Sequence, residues 1–145
     1  MVKIAVIGAS YLQLPLIEKI NTIGYESHCF AWDREDSVCK DIATFFYPIS
    51  IIDKDAILEK CQEIQIDAIL SIASDVAVPT ISYVAEKMGL IANSVASALV
   101  STNKSLMRSR FRNAGLFTPF YCTFTSSEEV KDRSDLTFPI VVKPT

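Results

Sequence analysis

The chain has 145 residues, of which 50% are apolar and 21% are charged, enough for one ordinary domain with a hydrophobic core. Subtracting 17 acidic from 14 basic residues gives a net charge of -3, which argues against nucleic acids and anionic membranes as partners. No apolar run reaches the roughly 18 to 20 residues that a bilayer span needs. The N-terminus carries no secretory signal pattern, so we expect a cytoplasmic location.

The cysteines and the single histidine predict neither a zinc site nor a redox dithiol. The four cysteines form no CxxC pair, and the only histidine is His28. On a strand, His28 and the adjacent Cys29 would point to opposite faces. We therefore expect reduced thiols, most of them buried.

Strand and helix patterns alternate along the first two thirds of the chain. Continuous apolar and β-branched runs predict strands at 3–7, 26–32, 44–49, 67–73 and 90–91. Helical spacing predicts helices at 12–21 and 76–88, with Pro15 and Pro79 in their first turns, and Asp53 as the N-cap of another. Such alternation implies right-handed crossovers. The predicted fold class is α/β, a Rossmann-like open parallel sheet with helices on both faces.

The pattern changes in the last third of the chain. Two helices are predicted at 94–100 and 102–114, followed by a strand at 119–125, a short helix at 126–131 and a strand at 138–143. A last strand without a partner would leave an open sheet edge. The strand therefore predicts the start of a second, α+β subdomain, and the alternative is an edge strand of the main sheet.

The turn after the first strand, Gly8 to Gln13, stands where a Rossmann-like sheet can bind an anion through backbone N–H groups and the helix dipole. A nicotinamide fingerprint requires glycine at its third and sixth positions, where this chain has Ser10 and Gln13. Asp33 could mimic the ribose-binding acid of such a site. Two interpretations stay open: a small-ligand site that includes Gly8, Ala9, Ser10 and Gln13, or a structural turn.

Two short polar residues, Ser74 and Asp75, follow the strand predicted at 67–73. They stand at the carboxyl edge of the sheet, where ligands collect in doubly wound folds. We therefore expect both to line a pocket. The alternative, compatible with the first, is that one of them caps the helix at 76–88.

Lys104 lies in the first turn of the helix predicted at 102–114, which Ser101 or Thr102 would cap. The helix dipole disfavours a cation there by about 0.3 to 1 kcal/mol. A lysine at this position is better explained by an anion nearby, and the alternative is a solvated surface lysine.

Four short segments occur in order along the chain: IGASYLQLP at 7–15, ASDVAVPT at 73–80, STNKSLMR at 101–108 and FPIVVKP at 138–144. Together they resemble the N-terminal region of ATP-grasp ligases. This superfamily includes the carbamoyl-phosphate synthase large chain, biotin carboxylase and D-alanine–D-alanine ligase.

The resemblance implies a division into a pre-ATP-grasp Rossmann-like domain (1–93), a helical linker (94–117) and the beginning of the small ATP-grasp subdomain (118–145). It implies that the carboxyl edge of the sheet, with Gly8, Ala9, Ser10, Gln13, Ser74 and Asp75, holds a small-molecule carboxylate or amine. It further implies that Lys104 and Lys143 contact the phosphates of ATP, and that a homodimer is possible.

The function implied is that of a ligase fragment. The parent would convert a carboxylate and ATP, with Mg²⁺, to an acylphosphate and then trap it with a nucleophile. The glycine-rich loop, adenine hinge and metal ligands of the family would follow Lys143, so we expect the 145-residue chain to be inactive alone. Two alternatives stay open: a nicotinamide-dependent domain, based on Gly8 and Asp33, and a non-catalytic binding or oligomerisation module.

Overall fold

The structure, a computed structural model, describes residues 1–131 and 133–143. The chain divides into two compact units, one from Met1 to Ala98 and one that begins at Leu99. The domain boundaries that the resemblance implies, after residues 93 and 117, stay predictions.

The first unit is built on a four-stranded parallel sheet in the order β3-β2-β1-β4. Its strands are β1 (Lys3–Ile7), β2 (Glu26–Phe30), β3 (Phe45–Tyr47) and β4 (Ala68–Leu70). In β1, one of the two central strands, Ala5, Val6 and Ile7 are fully buried, as expected for a strand covered on both faces. The predicted α/β class with an open parallel sheet is confirmed.

Three helices of the first unit follow the sequence signals that predict them. They are α1 (Leu14–Thr22), α2 (Lys54–Ile64) and α3 (Val78–Met88), with short 3-10 helices at Val38–Asp41 and Asp75–Ala77. The Asp53 carboxylate accepts a hydrogen bond from the Ala56 N–H at 3.2 Å and so caps α2. Buried Ile17, Ile57 and Val84 carry one side of each helix into the core. None of the helices in the described residues has the length and apolar character that crossing a bilayer requires.

The strands predicted at 26–32 and 44–49 form with ends up to two residues shorter, and two other strand predictions in the first unit need larger corrections. The strand predicted at 67–73 ends at Leu70, because the Ser71 hydroxyl donates to the Ile7 carbonyl at 2.5 Å and Ala73 turns the chain with a φ of 54°. The strand predicted at 90–91 does not form. The Leu90 N–H donates instead to the Ala85 carbonyl at 2.8 Å, which closes the C-terminus of α3.

The second unit consists of helices and irregular chain. Its helices are the end of α4 (Val95–Thr102), α5 (Lys104–Asn113) and α6 (Ser127–Lys131). The predicted caps Ser101 and Thr102 are wrong, because the side chain of Asn103 caps α5 by accepting from the Leu106 N–H at 3.0 Å.

The strands predicted at 119–125 and 138–143 are also wrong, since neither described segment forms a strand. An extended segment becomes a strand only when a neighbouring strand accepts and donates its backbone hydrogen bonds. The apolar side chains meant for these strands are exposed instead, Phe120 at 67% and Val141 at 81%. Pro144 and Thr145, the last residues of the predicted terminal segment, lie outside the described residues.

His28 is a buried histidine on β2, stacked on the ring of Phe45 at a centroid distance of 4.9 Å. Its Nδ1 lies 3.0 Å from the Tyr47 hydroxyl oxygen. Within the described residues its Nε2 has no hydrogen-bond partner, although a carboxylate oxygen of Glu26 lies 3.4 Å away. Burial lowers the pKa of His28 below its ordinary value of 6.5, and Glu26 opposes part of this effect.

This histidine predicts a loss of stability in mild acid. Because the pKa of His28 is lower in the folded chain than in the unfolded chain, the unfolded chain takes up the proton first as the pH falls. The free energy of unfolding should therefore decrease from about pH 7 to about pH 5. In the His28→Gln variant this part of the decrease should disappear, and urea unfolding at a series of pH values measures both proteins. Equal pH dependence in the two proteins would contradict the assignment.

Candidate functional site

A cleft of about 230 Å³ opens in the first unit at the carboxyl edge of the sheet, where β1, β2 and β4 end. The strands are parallel, so the segments that follow them meet at one edge although they are far apart in sequence. The lining residues are Gly8, Ala9, Ser10, Leu12 and Gln13 after β1, Ala31, Trp32, Arg34, Asp36 and Ser37 after β2, and Ile51, Ala73 and Ser74.

Most of the residues that the sequence predicts for a substrate site surround this cleft. Gly8, Ala9, Ser10, Gln13 and Ser74 all line it. Asp75 is exposed and starts a 3-10 helix at the same edge, but it is not part of the lining. Ser74 precedes that helix without a side-chain capping bond, and the N-cap of α3 is Ala77, so the capping alternative is wrong for both Ser74 and Asp75. The role of these residues in substrate binding stays a prediction.

The side chain of Gln13 closes the floor of the cleft. Its Oε1 accepts hydrogen bonds from the backbone N–H of Ser10 at 3.1 Å and from the Ser10 hydroxyl at 2.8 Å. Its Nε2 donates to the carbonyl of Ile72 at 2.6 Å. Nucleotide-binding turns use such backbone N–H groups to bind phosphate, and here the Gln13 carboxamide already accepts the N–H of Ser10.

Two features of this geometry weigh against a dinucleotide. Gly8 has a φ of +108°, and a Cβ there would lie 3.0 Å from Cδ of Gln13, so the space against the turn is already filled. Asp33, the candidate ribose-binding acid, forms an ion pair with Lys40 at 2.7 Å and does not line the cleft. The nicotinamide alternative thus lacks both of its contacts.

Two buried thiols form hydrogen bonds to the backbone of the turn after β1. The Cys29 thiol donates to the Gly8 carbonyl at 3.2 Å, and the Cys39 thiol donates to the Ser10 carbonyl at 3.3 Å. Burial raises the pKa of the Cys29 thiol to about 12, which keeps it protonated as a donor. All four cysteines are free, as the sequence predicts, and three of them are buried.

The loop after β2 forms one wall of the cleft with Trp32, Arg34, Asp36 and Ser37, none of which is among the site residues predicted from the sequence. The guanidinium of Arg34 lies 4.9 Å from the ring centre of Trp32. The Ser37 hydroxyl donates to the Trp32 carbonyl at 2.6 Å and holds the loop closed. The order of the strands could have identified this loop as part of the site, because the end of β2 lies beside the end of β1 at the edge where ligands bind.

The two lysines proposed for a nucleotide belong to the second unit. Lys104 is the first residue of α5, as expected, and Lys143 is exposed in a segment without secondary structure. The Arg108 side chain donates to the Thr118 hydroxyl at 3.4 Å. The Arg112 guanidinium lies 4.7 Å from the ring centre of Tyr121. These arginines fasten the segment after α5 to the helix, and a phosphate contact by either lysine stays a prediction.

The resemblance implies Mg²⁺ for the full-length ligase, with metal ligands that would follow Lys143. Among residues 1–131 and 133–143, no three His, Cys, Asp or Glu side chains are grouped so that they could hold a metal ion.

No protein-family model and no curated protein sequence matches the chain. Solved structures do match. The L-amino acid ligase from Bacillus licheniformis has a TM-score of 0.80 and 20% identity, over 99% of this chain and 37% of that chain. For phosphoribosylglycinamide synthetase from Anaerococcus prevotii the TM-score is 0.78 and the identity 19%, over the same 99% and 37%.

The fold is that of the N-terminal domain of ATP-grasp ligases. N5-carboxyaminoimidazole synthetase from Staphylococcus aureus, solved in complex with ADP, has a TM-score of 0.67 and 17% identity over 90% of this chain and 34% of that chain. The chain thus spans about 37% of the length of the first two enzymes. The resemblance to the N-terminal region of ATP-grasp enzymes is confirmed at the level of the fold.

Proposed function

We propose that this chain is the N-terminal, acceptor-binding part of an ATP-dependent ligase. The observation that carries the proposal is the cleft at the carboxyl edge of an ATP-grasp-type sheet, lined by residues that follow β1, β2 and β4. Two similar structures are named as a ligase and a synthetase, and a third was solved with ADP. The proposal includes a small-molecule ligand, a possible homodimer and a cytoplasmic location.

The proposed reaction has two steps. A carboxylate oxygen attacks the γ-phosphorus of ATP, which gives an acylphosphate and ADP. An amine or another nucleophile then attacks the acyl carbon and expels inorganic phosphate. Since phosphoryl transfer depends mainly on positioning and charge neutralisation, the contribution of this chain would be to orient the acceptor and to supply two lysines.

An ADP-release screen of the full-length gene product tests the proposal. The product is incubated with Mg-ATP and a panel of carboxylic acids and amines, alone and in pairs. ADP release that requires one acid, and rises further with one amine, is the expected result. Absence of acid-dependent ADP release over the whole panel would contradict the proposal.

In the full-length enzyme, Lys104→Met and Lys143→Met should each raise the KM for ATP by about tenfold or more. A charge-assisted hydrogen bond to phosphate contributes about 1.5 to 3 kcal/mol, and methionine keeps the length of the side chain without the charge. The matched control is Lys19→Met, which removes an exposed lysine from α1. Steady-state kinetics measure all three variants. An unchanged KM in both test variants would mean that Lys104 and Lys143 are surface lysines that do not contact the nucleotide.

The 145-residue chain alone should not bind Mg-ATP in the micromolar range. The N–H of Ser10 already donates to Gln13, and the described residues offer no group of metal ligands. Two lysines on solvated stems do not offset the several kcal/mol of translational freedom that a bound nucleotide loses. Calorimetric titration measures this, and saturable binding at about tens of micromolar or tighter would mean that the chain carries a complete nucleotide site.

A further inference from the structure

Two oppositely charged side chains line the cleft, Arg34 and Asp36 on the loop after β2. They are the only ionisable residues among those that line it. No ion pair within 4.0 Å joins them, and neither forms one with any other residue that the structure describes. By contrast, their neighbour Asp33 is neutralised by Lys40. Both charges at the cleft are therefore available to a bound molecule.

Arg34 is arranged to receive an anion. Its guanidinium lies 4.9 Å from the ring centre of Trp32, and a stacked guanidinium keeps its in-plane N–H donors free. The loop is fixed by Ser37, whose hydroxyl donates to the Trp32 carbonyl at 2.6 Å and accepts from the backbone N–H of Arg34 at 3.4 Å. A planar, pre-oriented guanidinium matches a carboxylate through two parallel hydrogen bonds.

The rest of the lining is neutral. Gln13 and Ser10 satisfy each other at the floor, so the turn after β1 offers no charge to a ligand. A volume of about 230 Å³ is below the roughly 300 to 1,000 Å³ of sites for drug-sized ligands, which indicates a small molecule. Recognition of charge in this cleft must come from Arg34 and Asp36.

We propose that this cleft binds a small zwitterion of the α-amino acid class, with its carboxylate on Arg34 and its ammonium group on Asp36. One positive and one negative group, unpaired with each other on one short loop, complement a molecule that carries both charges. The role of that molecule as an acceptor rests on the proposed ligase function. The binding itself does not, since it uses residues of the first unit alone.

The single tryptophan of the chain, Trp32, reports on binding because it lines the cleft under Arg34. The 145-residue chain is titrated with glycine, L-alanine and L-serine while tryptophan emission is recorded. N-acetyl-L-alanine lacks the ammonium group, and L-alaninamide lacks the carboxylate. At least one zwitterion should change the emission saturably, and the N-acetyl and amide derivatives of that zwitterion should bind about tenfold or more weakly than it does, the loss expected for one charged contact.

Single substitutions test the contribution of each of the two charges to binding. Arg34→Gln and Asp36→Asn should each weaken the binding of the zwitterion by about tenfold or more. Glu35→Gln removes an exposed carboxylate of the same loop that does not line the cleft, and it should leave the affinity unchanged. Because Arg34→Gln also alters the surroundings of Trp32, the amide NMR signals of Ser10 and Ser74 are followed in parallel. Both test residues are exposed, so thermal unfolding should remain close to that of the parent chain.

Three results would overturn the inference: no saturable response to any of the zwitterions, equal affinity for the singly charged derivatives, or tighter binding of AMP than of every zwitterion. The ligase proposal fails separately. A chain that binds a zwitterion, in a full-length product that never releases ADP, would keep this inference and overturn the ligase. ADP release by a full-length enzyme that Arg34→Gln and Asp36→Asn leave unaffected would keep the ligase and overturn the role of the zwitterion as its acceptor.

Discussion

Replacing Gly8 with alanine is expected to lower the free energy of unfolding by about 2 to 5 kcal/mol. Gly8 has a φ of +108°, which L-residues rarely adopt, and the new Cβ would lie 3.0 Å from both Cδ and Oε1 of Gln13. Gln13 cannot move aside cheaply, because it is 3% exposed and its carboxamide is held by Ser10 and Ile72. Urea unfolding followed by circular dichroism measures the change.

Two further variants isolate the contact with Gln13 from the backbone effect. Gly24 also has a positive φ, +81°, but a Cβ there meets no atom within 4 Å. Gly24→Ala should therefore cost only the conformational part, about 1 to 2 kcal/mol. In a Gln13→Ala background, Gly8→Ala should cost about as much as Gly24→Ala. A full cost for Gly8→Ala in that background would show that the Gln13 side chain is not what fills the turn.

The second large effect is expected from Gln13→Leu, at about 2 to 4 kcal/mol of lost stability. Leucine has a similar volume but leaves the N–H of Ser10 and the carbonyl of Ile72 without the partner that Gln13 provides. Each polar group left unsatisfied in a partly buried place costs about 1 to 3 kcal/mol. Thermal or urea unfolding of the variant measures the loss.

The matched control is Gln62→Leu, on the exposed side of α2, which should change the free energy of unfolding by less than about 0.5 kcal/mol. The Gln13→Leu chain should also lose the zwitterion-dependent change in Trp32 emission, because the floor of the cleft would rearrange. Equal stabilities of the two leucine variants would contradict the structural role assigned to Gln13.

The central part of the fold could be predicted because it depends on local patterns that point to one answer. The run from Lys3 to Ile7 is apolar and β-branched, and it forms β1 with the predicted bounds. Pro15 and Asp53 mark helix starts through the missing N–H of proline and the acceptor of the aspartate. Each of these signals acts within a few residues, so the sequence alone contains it.

The strand predictions at 119–125, at 138–143 and for the end of β4 failed because they depended on partners far along the chain. Segments 119–125 and 138–143 have the composition of strands, but the described chain pairs them with no other strand. Strand propensity measures fit to a half-buried sheet surface and not an intrinsic backbone preference, so composition alone could not decide these cases. The end of β4 was set by the contact from Ser71 to Ile7, a pair 64 positions apart.

In the candidate site, too, some residues could be predicted from the sequence and others could not. The turn residues Gly8, Ser10 and Gln13 could be predicted from a strand followed by a glycine and a helix. The sequence predicts Gln13 as a residue of the small-ligand site and as a departure from the glycine fingerprint, but the hydrogen bonds by which its side chain fills the turn required the side-chain geometry. The wall formed by Trp32 and Arg34 was missed because a polar loop gives no periodic signal, although its place after β2 marked it as part of the same edge.

The most direct measurement of the central claim follows the oxygen atoms of the carboxylate substrate. The full-length gene product is given Mg-ATP, an amine and a carboxylic acid whose carboxylate carries a heavy oxygen isotope, and the inorganic phosphate released is analysed by mass spectrometry. A ligase that works through an acylphosphate transfers one labelled oxygen to phosphate for each ADP formed, which is the result predicted. ADP formation with unlabelled phosphate, or label recovered in AMP, would contradict it.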